Sequence, residues 1–110
     1  MGKIGKNLGI FVGKAKSDIS IQKNKNKRRK GKFTLSITTF GYNQDKHGYG
    51  DVVLDIDVFI NQKDIQNAMK LIHKGKIVHI EGPVFYVDPL RDGTWLYPVV
   101  ECERFTLIKG

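Results

Sequence analysis

The chain has 110 residues, of which 40% are hydrophobic and 27% charged, the composition of one ordinary globular domain. A domain of this size buries about two-thirds of the surface of its unfolded chain, so folding requires neither a disulfide nor a metal. The sequence predicts no membrane span, because no apolar run approaches about 18 residues, and no signal peptide. Cys102 is the only cysteine, which excludes an intrachain disulfide and favours a reducing cytoplasm.

The net charge of +8 is concentrated in one segment. Residues 23–32, KNKNKRRKGK, hold seven of the 19 Lys and Arg residues and no acidic residue. The rest of the chain is nearly neutral, with 12 basic and 11 acidic side chains. A charge run is often only a solvated loop, but a concentrated one also suits an arm that closes onto a polyanion.

The first 60 residues read as strands separated by polar segments. Strands are predicted at residues 8–12, 18–22, 33–40 and 51–60. The first two form either two strands or one long strand broken near Ala15 and Lys16. The basic segment 23–32 and the glycine-rich segment 41–50 are predicted to be loops.

The hydrophobic period changes from two to that of a helix after residue 60. One helical face is formed by Ile65, Ala68, Met69 and Ile72. Asn61 is suited to start this helix and Gly75 to end it. The spacing therefore predicts one helix between the third and fourth strands.

Two further strands follow the helix. The first spans residues 76–87 with an interruption at Gly82, and the second spans 94–108 with a bend at Pro98, after a turn over 88–93. The order predicts an all-β domain, a five-stranded OB-fold barrel with one α-helix between strands three and four, because one helix cannot cover an open sheet. An SH3-like barrel normally lacks a helix of three turns at this place.

Alternation along the strands separates core candidates from surface candidates. The predicted core is Leu35, Ile37, Leu54, Ile56, Val58, Val78, Ile80 and Val84. The candidates for base stacking are Phe40, Tyr42, Phe59, Phe85, Trp95 and Tyr97. Such rings can equally close a barrel end or fill a subunit interface, and Tyr42 with Tyr49 can either clamp a strand or pack.

Four stretches of the chain resemble, in the same order, the bacterial-type single-stranded DNA-binding proteins. HKGKIVHIEGPV (73–84) is similar to the place where the family's helix ends at Lys-Gly and a strand of alternating apolar residues reaches a glycine. GIFVGKAKSD (9–18) resembles the first strand, KFTLSITT (32–39) the second, and VVECERFTLI (99–108) the closing strand. The resemblance implies an OB-fold that binds single-stranded DNA as a homodimer or homotetramer, without a cofactor; binding of RNA is an alternative.

The OB-fold binding face comprises strands two and three and the loops that join strands one to two and four to five. The basic segment lies in the first of these loops. Its candidate phosphate ligands are Lys23, Lys25, Lys27, Arg28, Arg29, Lys30 and Lys32. Asp55 and Asp57 would repel phosphates on this face, unless they pair with lysines of the segment.

The sequence also departs from the family pattern. It ends at Gly110 without the Gly/Pro/Gln-rich linker and acidic tip of cellular members, which implies a minimal version of the kind that phages and mobile elements encode. Asp55 and Asn61 stand where the family tends to have stacking aromatics, so they are not taken as base-binding residues.

Nothing in the sequence predicts an enzyme. The three histidines, His47, His73 and His79, lack the spacing of metal ligands, and Cys102 has no basic neighbour that would make it a nucleophile. The expected function is sequence-tolerant binding of single-stranded DNA in replication or recombination. The alternatives are an OB-fold adaptor of a primosome or recombination complex, acting mainly through protein contacts, and an RNA-binding OB-fold protein.

Overall fold

The computed structural model describes residues 7–23, 29–87, 93 and 97–108. The strands in these ranges are β1 (Gly9–Ala15), β2 (Ser20–Lys23), β3 (Arg29–Asn43), β4 (Gly48–Ile60), β5 (Ile77–Gly82), β6 (Val84–Val87), β7 (Tyr97–Cys102) and β8 (Arg104–Ile108). A 3-10 turn (Gln62–Asp64) leads into helix α1 (Ile65–Leu71). The predicted order of elements, with the helix after the β4 strand, is confirmed.

The strands pair in one sheet in the order β6-β7-β4-β3-β1-β5-β8, with β2 beside β3. β7 runs parallel to β4, and the other pairs are antiparallel. The sequence suggested a bend of the C-terminal strand at Pro98. The structure has the bend at Glu103 instead, the single residue between β7 and β8. The ladders form an open path over the described strands, so the expected five-stranded barrel appears as a mostly-β sheet that bends around a core.

Two backbone hydrogen bonds hold the bend of the C-terminal strand against β5 and β6. The Glu101 N–H donates to the Pro83 carbonyl (3.0 Å), and the Glu103 N–H donates to the Glu81 carbonyl (2.8 Å). β5 ends at Gly82 and β6 begins at Val84, which confirms the expected interruption.

The core lies between the inner face of the sheet and α1. Its largest fully buried side chains are Phe33, Leu35, Ile60, Ile72, Ile80, Val58, Val78, Val100 and Cys102. The predicted core residues Leu35, Ile56, Val58, Val78 and Ile80 are buried, while Ile37 and Val84 are partly buried against them. Leu54 was wrongly predicted: it is 52% exposed.

The exposure of Leu54 follows from the length of the β3–β4 hairpin. β1 pairs with β3 only as far as Ser36, and β7 pairs with β4 only from Asp57 onward. The rest of the hairpin projects beyond the sheet as a two-stranded ribbon. Inward-facing side chains on this ribbon therefore have little to pack against.

The glycine-rich segment 41–50 was expected to be a loop, and the structure makes most of it strand. β3 continues to Asn43, β4 starts at Gly48, and only residues 44–47 form the turn. The Asn43 side-chain oxygen accepts hydrogen bonds from the N–H groups of Asp45 (3.0 Å) and Lys46 (3.3 Å). These two hydrogen bonds close the turn, so β3 and β4 stay paired in register through the flanking glycines.

The basic segment 23–32 was likewise expected to be one loop, and its described ends are strand. Lys23 ends β2, Arg29–Lys32 begin β3, and the two strands pair from Ser20 with Lys32 to Lys23 with Arg29. A Cβ at Gly31 would lie only 2.9 Å from the Ile19 side chain. Because glycine has no side chain, the two strands can pair this close to the core. Lys25, Lys27 and Arg28 fall outside the described residues.

The helix is shorter than predicted, because the 3-10 turn takes its first residues. Ile65 and Ala68 are buried, as expected, but Met69 is exposed. Asn61 makes no side-chain cap, although its carbonyl accepts a hydrogen bond from the Asp64 N–H (2.9 Å). The helix ends at Leu71 with Ile72 as its C-cap, so Gly75 does not end it as predicted. Gly75 lies in the turn before β5 with φ of 95°, a left-handed conformation that favours glycine.

Candidate nucleic-acid interface

The outer face of the β3–β4 ribbon carries polar and aromatic side chains. Strand alternation places it opposite the buried residues Phe33, Leu35 and Val58. The cross-strand pairs on this face are Lys32 with Phe59, Thr34 with Asp57, Ser36 with Asp55, Thr38 with Val53, Phe40 with Asp51, and Tyr42 with Tyr49. At roughly 3.3 Å per residue, the face extends for about 33 Å.

Two of the carboxylates on this face are paired with lysines. Lys16 Nζ lies 2.6 Å from Asp55 Oδ2, and this hydrogen bond holds the pKa of Asp55 below its ordinary value. Lys32 Nζ lies 3.6 Å from Asp57 Oδ2. The expected pairing with the basic segment is thus confirmed for Asp57, whereas Asp55 pairs with a lysine between β1 and β2.

At the base of the hairpin, β3, β4, β6 and β7 enclose a groove of ≈ 290 Å³, which we call the aromatic groove. Its lining residues are Lys30, Phe59, Phe85, Val87, Val99 and Glu101. Lys30 Nζ lies 6.0 Å from the centre of the Phe59 ring, within reach of a cation–π contact. The groove thus offers apolar and aromatic walls with one cation and one carboxylate at its edge.

A second groove, of ≈ 500 Å³, adjoins the first and is here called the basic groove. It is lined by Arg29, Lys30, Asn61, Gln62, Lys63 and Glu101, and shares Lys30 and Glu101 with the aromatic groove. Three cations and one carboxylate therefore line a groove next to the aromatic rings. This combination of stacking surface and positive charge is what a single nucleic-acid strand requires.

Lys63 and Glu101 belong to this surface although no sequence pattern indicated them. Lys63 follows β4, and Glu101 lies opposite Phe59 only because β7 pairs with β4 in parallel register. Periodicity assigns each residue to a face of its own strand, but it gives no register between strands distant in sequence. In an OB-fold the third strand pairs in parallel with the last strand. Aligning these two strands of the expected fold could have placed Glu101 next to Phe59.

The structure divides the six predicted stacking residues between two places. Phe59 and Phe85 line the aromatic groove, and Tyr97 lies on the same face as Phe85, because its partner in the ladder is Val87. Phe40 and Tyr42 lie far along the hairpin. Trp95 is outside the described residues.

The rings at the end of the hairpin form a cluster with Tyr49. Phe40 and Tyr49 are nearly parallel, with centroids 6.1 Å apart, and Tyr42 meets Tyr49 edge-on at 5.3 Å. Phe40 is 71% and Tyr49 76% exposed. The cluster therefore presents ring faces to solvent.

The described candidate phosphate ligands are also divided. Arg29 and Lys30 line the basic groove, Lys32 is held by Asp57, and Lys23 lies beside Arg29 in the β2–β3 ladder. Lys25, Lys27 and Arg28 cannot be placed, since they belong to the residues that are not described.

Other kinds of site receive no support from the described part of the chain. It contains no group of three or more His, Cys, Asp or Glu side chains placed to hold a metal. None of its helices is long and apolar enough to cross a membrane. Cys102 is buried, as expected, its Sγ donates to the Arg104 carbonyl (3.3 Å), and burial raises its pKa to about 12.

No family model matches the sequence, and no curated protein matches it. Solved structures do match over almost the whole chain. The SSB of Plasmodium falciparum in complex with ssDNA has a TM-score of 0.75 at 11% identity, covering 99% of this chain and 100% of that chain. The chain has the fold of single-stranded DNA-binding proteins.

Two bacterial structures give the same result. The small single-stranded DNA-binding protein of Streptomyces coelicolor has a TM-score of 0.72 at 16% identity, with 96% of both chains covered. A deletion mutant of the single-stranded DNA-binding protein of Thermus aquaticus has a TM-score of 0.73 at 16% identity. This match covers 96% of the present chain and 52% of the Thermus chain. The resemblance noted in the sequence is thus confirmed as a likeness of fold.

Proposed function

We propose that this protein binds single-stranded DNA with little sequence preference, coating and protecting it during replication or recombination. The observation that carries the proposal is the aromatic groove, which adjoins a groove lined by Arg29, Lys30 and Lys63. The matched proteins, whose titles describe single-stranded DNA binding, have the same fold. The two backbone bonds at the bend of the C-terminal strand support closure into an OB-fold barrel.

Binding in this proposal combines stacking with charge neutralisation. Bases stack on Phe59 and Phe85, while Arg29 and Lys63 contact the phosphates. Phe40, Tyr42 and Tyr49 form a second stacking platform at the far end of the outer face, and Tyr97 extends the first. Stacking by Trp95 stays a prediction from the sequence. No step makes or breaks a covalent bond.

The decisive test compares oligo-dT with duplex DNA of equal length by fluorescence anisotropy of the labelled nucleic acid. We expect much tighter binding of oligo-dT, because a duplex hides the base faces. Equal affinity for both would overturn the proposal and leave a generic polycation. A ribose homopolymer in the same assay tests the RNA alternative, since only RNA offers the 2′-hydroxyl.

Phe85→Ala tests the stacking role directly, and Tyr86→Ala is its matched control. Both residues are exposed on β6, at 47% and 67%, but only Phe85 lines the aromatic groove. We expect Phe85→Ala to cost about 1–3 kcal/mol of binding free energy and Tyr86→Ala to cost little. Equal effects of the two changes would argue against the groove as the stacking site.

The protein is also proposed to act as a homodimer or homotetramer joined through β1. Leu8, which immediately precedes this strand, is 45% exposed, and Ile10 and Val12 within it are 58% and 45% exposed. On the side facing β3, β1 has ladder partners only at Lys14 and Ala15 within the described chain. An apolar strand with a free backbone edge is suited to pairing with a second copy.

The proposed place of action is the cytoplasm, in keeping with the single cysteine of the chain. Encoding by a phage or mobile element stays a prediction from the sequence alone. The three structural matches, from Plasmodium and two bacteria, do not support it.

A further inference from the structure

The carboxylate of Glu101 stands where a DNA-binding surface would not be expected to carry negative charge. It borders both grooves, and in the parallel β4–β7 ladder its partner is Phe59. Its backbone N–H donates a hydrogen bond to the Pro83 carbonyl. Its side chain, by contrast, makes no hydrogen bond or ion pair to any described residue.

The nearby cations do not explain the position of this carboxylate. Lys30 lies over the Phe59 ring instead of pairing with Glu101. Asp55 and Asp57, on the same outer face, each hold a lysine within 4 Å. Glu101 is therefore available as a hydrogen-bond acceptor beside a stacking ring, at the cost of some repulsion toward phosphates.

The dimensions of the aromatic groove limit what Glu101 can contact. A volume of ≈ 290 Å³ is small for a ligand site, and its walls are the flat Phe59 and Phe85 rings with the aliphatic Val87 and Val99. A single unpaired base suits such a space. Unpaired bases also present the hydrogen-bonding edges that are hidden in a duplex.

We propose that Glu101 recognises the base seated in the aromatic groove by accepting a hydrogen bond from its exocyclic amino group. Cytosine, adenine and guanine carry such a group, and carboxylates accept from the N4 amino group of cytosine. Thymine presents the O4 carbonyl at the corresponding position, which a carboxylate repels. The inference rests on the proposed function and adds one base-selective position to an otherwise tolerant surface.

The test compares oligo-dC with oligo-dT of equal length, at one salt concentration and at pH 8, with the wild-type protein and two variants. Homopolymers place the same base in the groove in every binding register. We expect the wild-type protein to bind oligo-dC about tenfold more tightly, the effect of one hydrogen bond to a charged group. Glu101→Gln should bring the ratio close to one, because an amide can donate to thymine as well as accept from cytosine.

Glu103→Gln is the matched control, because it removes the same charge two residues away and Glu103 lines neither groove. Glu103→Gln should bind both strands slightly more tightly and leave the dC/dT ratio unchanged, whereas Glu101→Gln should lower the ratio. Oligo-dC built with N4,N4-dimethylcytosine, which lacks the donor hydrogens, should lose its advantage with the wild-type protein.

The outcomes separate this inference from the proposed function. A dC/dT ratio that Glu101→Gln leaves unchanged, or that both variants change equally, overturns the role of Glu101 while single-strand binding stands. Failure of the wild-type protein to bind either oligonucleotide better than duplex overturns the proposed function and this inference with it.

Discussion

At the scale of single residues, the lysine–aspartate pairs on the outer face decide how much positive charge is available to a phosphate. Lys16 is held by Asp55 at 2.6 Å and Lys32 by Asp57 at 3.6 Å. A phosphate that uses either lysine must displace a carboxylate. These pairs contribute little to stability, because the first is exposed to solvent and the second is only partly buried, with its charged atoms 3.6 Å apart. In the proposed complex their main effect is on binding.

Asp55→Asn should therefore strengthen the binding of single-stranded DNA. The change frees Lys16, so affinity should rise and the log–log salt dependence should steepen by about 0.7, the effect of one additional phosphate contact. Asp45→Asn, in the hairpin turn, alters the net charge equally, and Asp45 makes no ion pair with a described lysine. Identical salt slopes for the two variants would mean that Lys16 does not reach the DNA.

Cys102 provides a residue-scale test of the core. Burial, with a smaller effect from the negative charge of Asp64, raises its pKa from 9.0 to about 12. The folded state therefore holds its proton more tightly than the unfolded state. The resulting stabilisation is complete below pH 9 and is lost as the pH rises from 9 toward about 12.

We accordingly expect the Cys102 thiol to react very slowly with iodoacetamide at pH 8 in the native protein and rapidly in denaturant. The free energy of unfolding should decline with pH above 9. Rapid labelling of the native protein at pH 8 would show that the thiol is neither buried nor protonated as described.

At the scale of elements, the bend of the C-terminal strand depends on close backbone contact at Gly82. A Cβ at this position would overlap the Glu101 carbonyl oxygen. The contact lies between Pro83 and Glu81, whose carbonyls accept the two hydrogen bonds of the bend. The same segment presents Glu101 to the grooves, so its backbone position matters for binding as well as for folding.

Gly82→Ala should consequently lower the free energy of unfolding by about 1–3 kcal/mol, as overpacking in a well-packed region does. Gly50→Ala is the control, since a Cβ at that strand glycine meets nothing within 4 Å. Chemical denaturation of both variants checks the prediction. A Gly82→Ala protein as stable as Gly50→Ala would contradict the close approach of the two segments.

The elements also show what the sequence could and could not predict. Alternation correctly identified the inner and outer faces of β3 and β4, because its period of two is independent of tertiary context. It failed at residues 41–50, where glycines interrupt the apolar pattern although the Asn43 turn and the Tyr42–Tyr49 contact maintain the hairpin. It also misplaced Leu54, because burial there depends on where neighbouring strands stop pairing.

At the scale of the whole molecule, Arg29, Lys30 and Lys63 bring positive charge from two parts of the chain to the basic groove. The basic segment joins β2 to β3 and runs into the basic groove through Arg29 and Lys30. The sequence predicted this segment as a binding element from its charge and from its position in the loop between strands one and two of the expected OB-fold. The contribution of Lys63 required the fold, because the turn after β4 comes next to the start of β3 only in three dimensions.

Replacing Lys27, Arg28, Arg29 and Lys30 together by alanine should weaken single-strand binding and flatten its salt dependence by at most about 3 log units per log unit of salt. Each lost phosphate contact removes about 0.7 from the slope. The free energy of unfolding should change by less than about 1 kcal/mol, because exposed like charges add little stability. If affinity and slope were both unaltered, the segment would be solvated and would make no contact with the DNA.

Assembly is the other property of the whole molecule, and it depends on β1. Leu8, just before β1, and Ile10 and Val12 within it form an exposed apolar row, and the β3-facing edge of the strand is largely unpaired within the described chain. Two copies related by a twofold axis could pair these edges antiparallel and cover both rows at once, which an isolated molecule cannot do. The grooves lie on β3, β4, β6 and β7, so this association leaves them accessible.

We therefore expect sedimentation at micromolar concentration to show a dimer or tetramer, and Ile10→Glu to shift it toward the monomer. A charge on the apolar row must either be buried without a partner or separate the subunits, and separation costs less. Met69→Glu places the same charge on an exposed apolar residue of α1 and should leave the oligomer intact.

The dissociated Ile10→Glu protein should still prefer oligo-dT to duplex, because its grooves are intact. It should bind long single strands less tightly than the wild-type oligomer, since linked binding sites raise the effective concentration. A wild-type monomer, or equal dissociation of both variants, would show that β1 is not the interface.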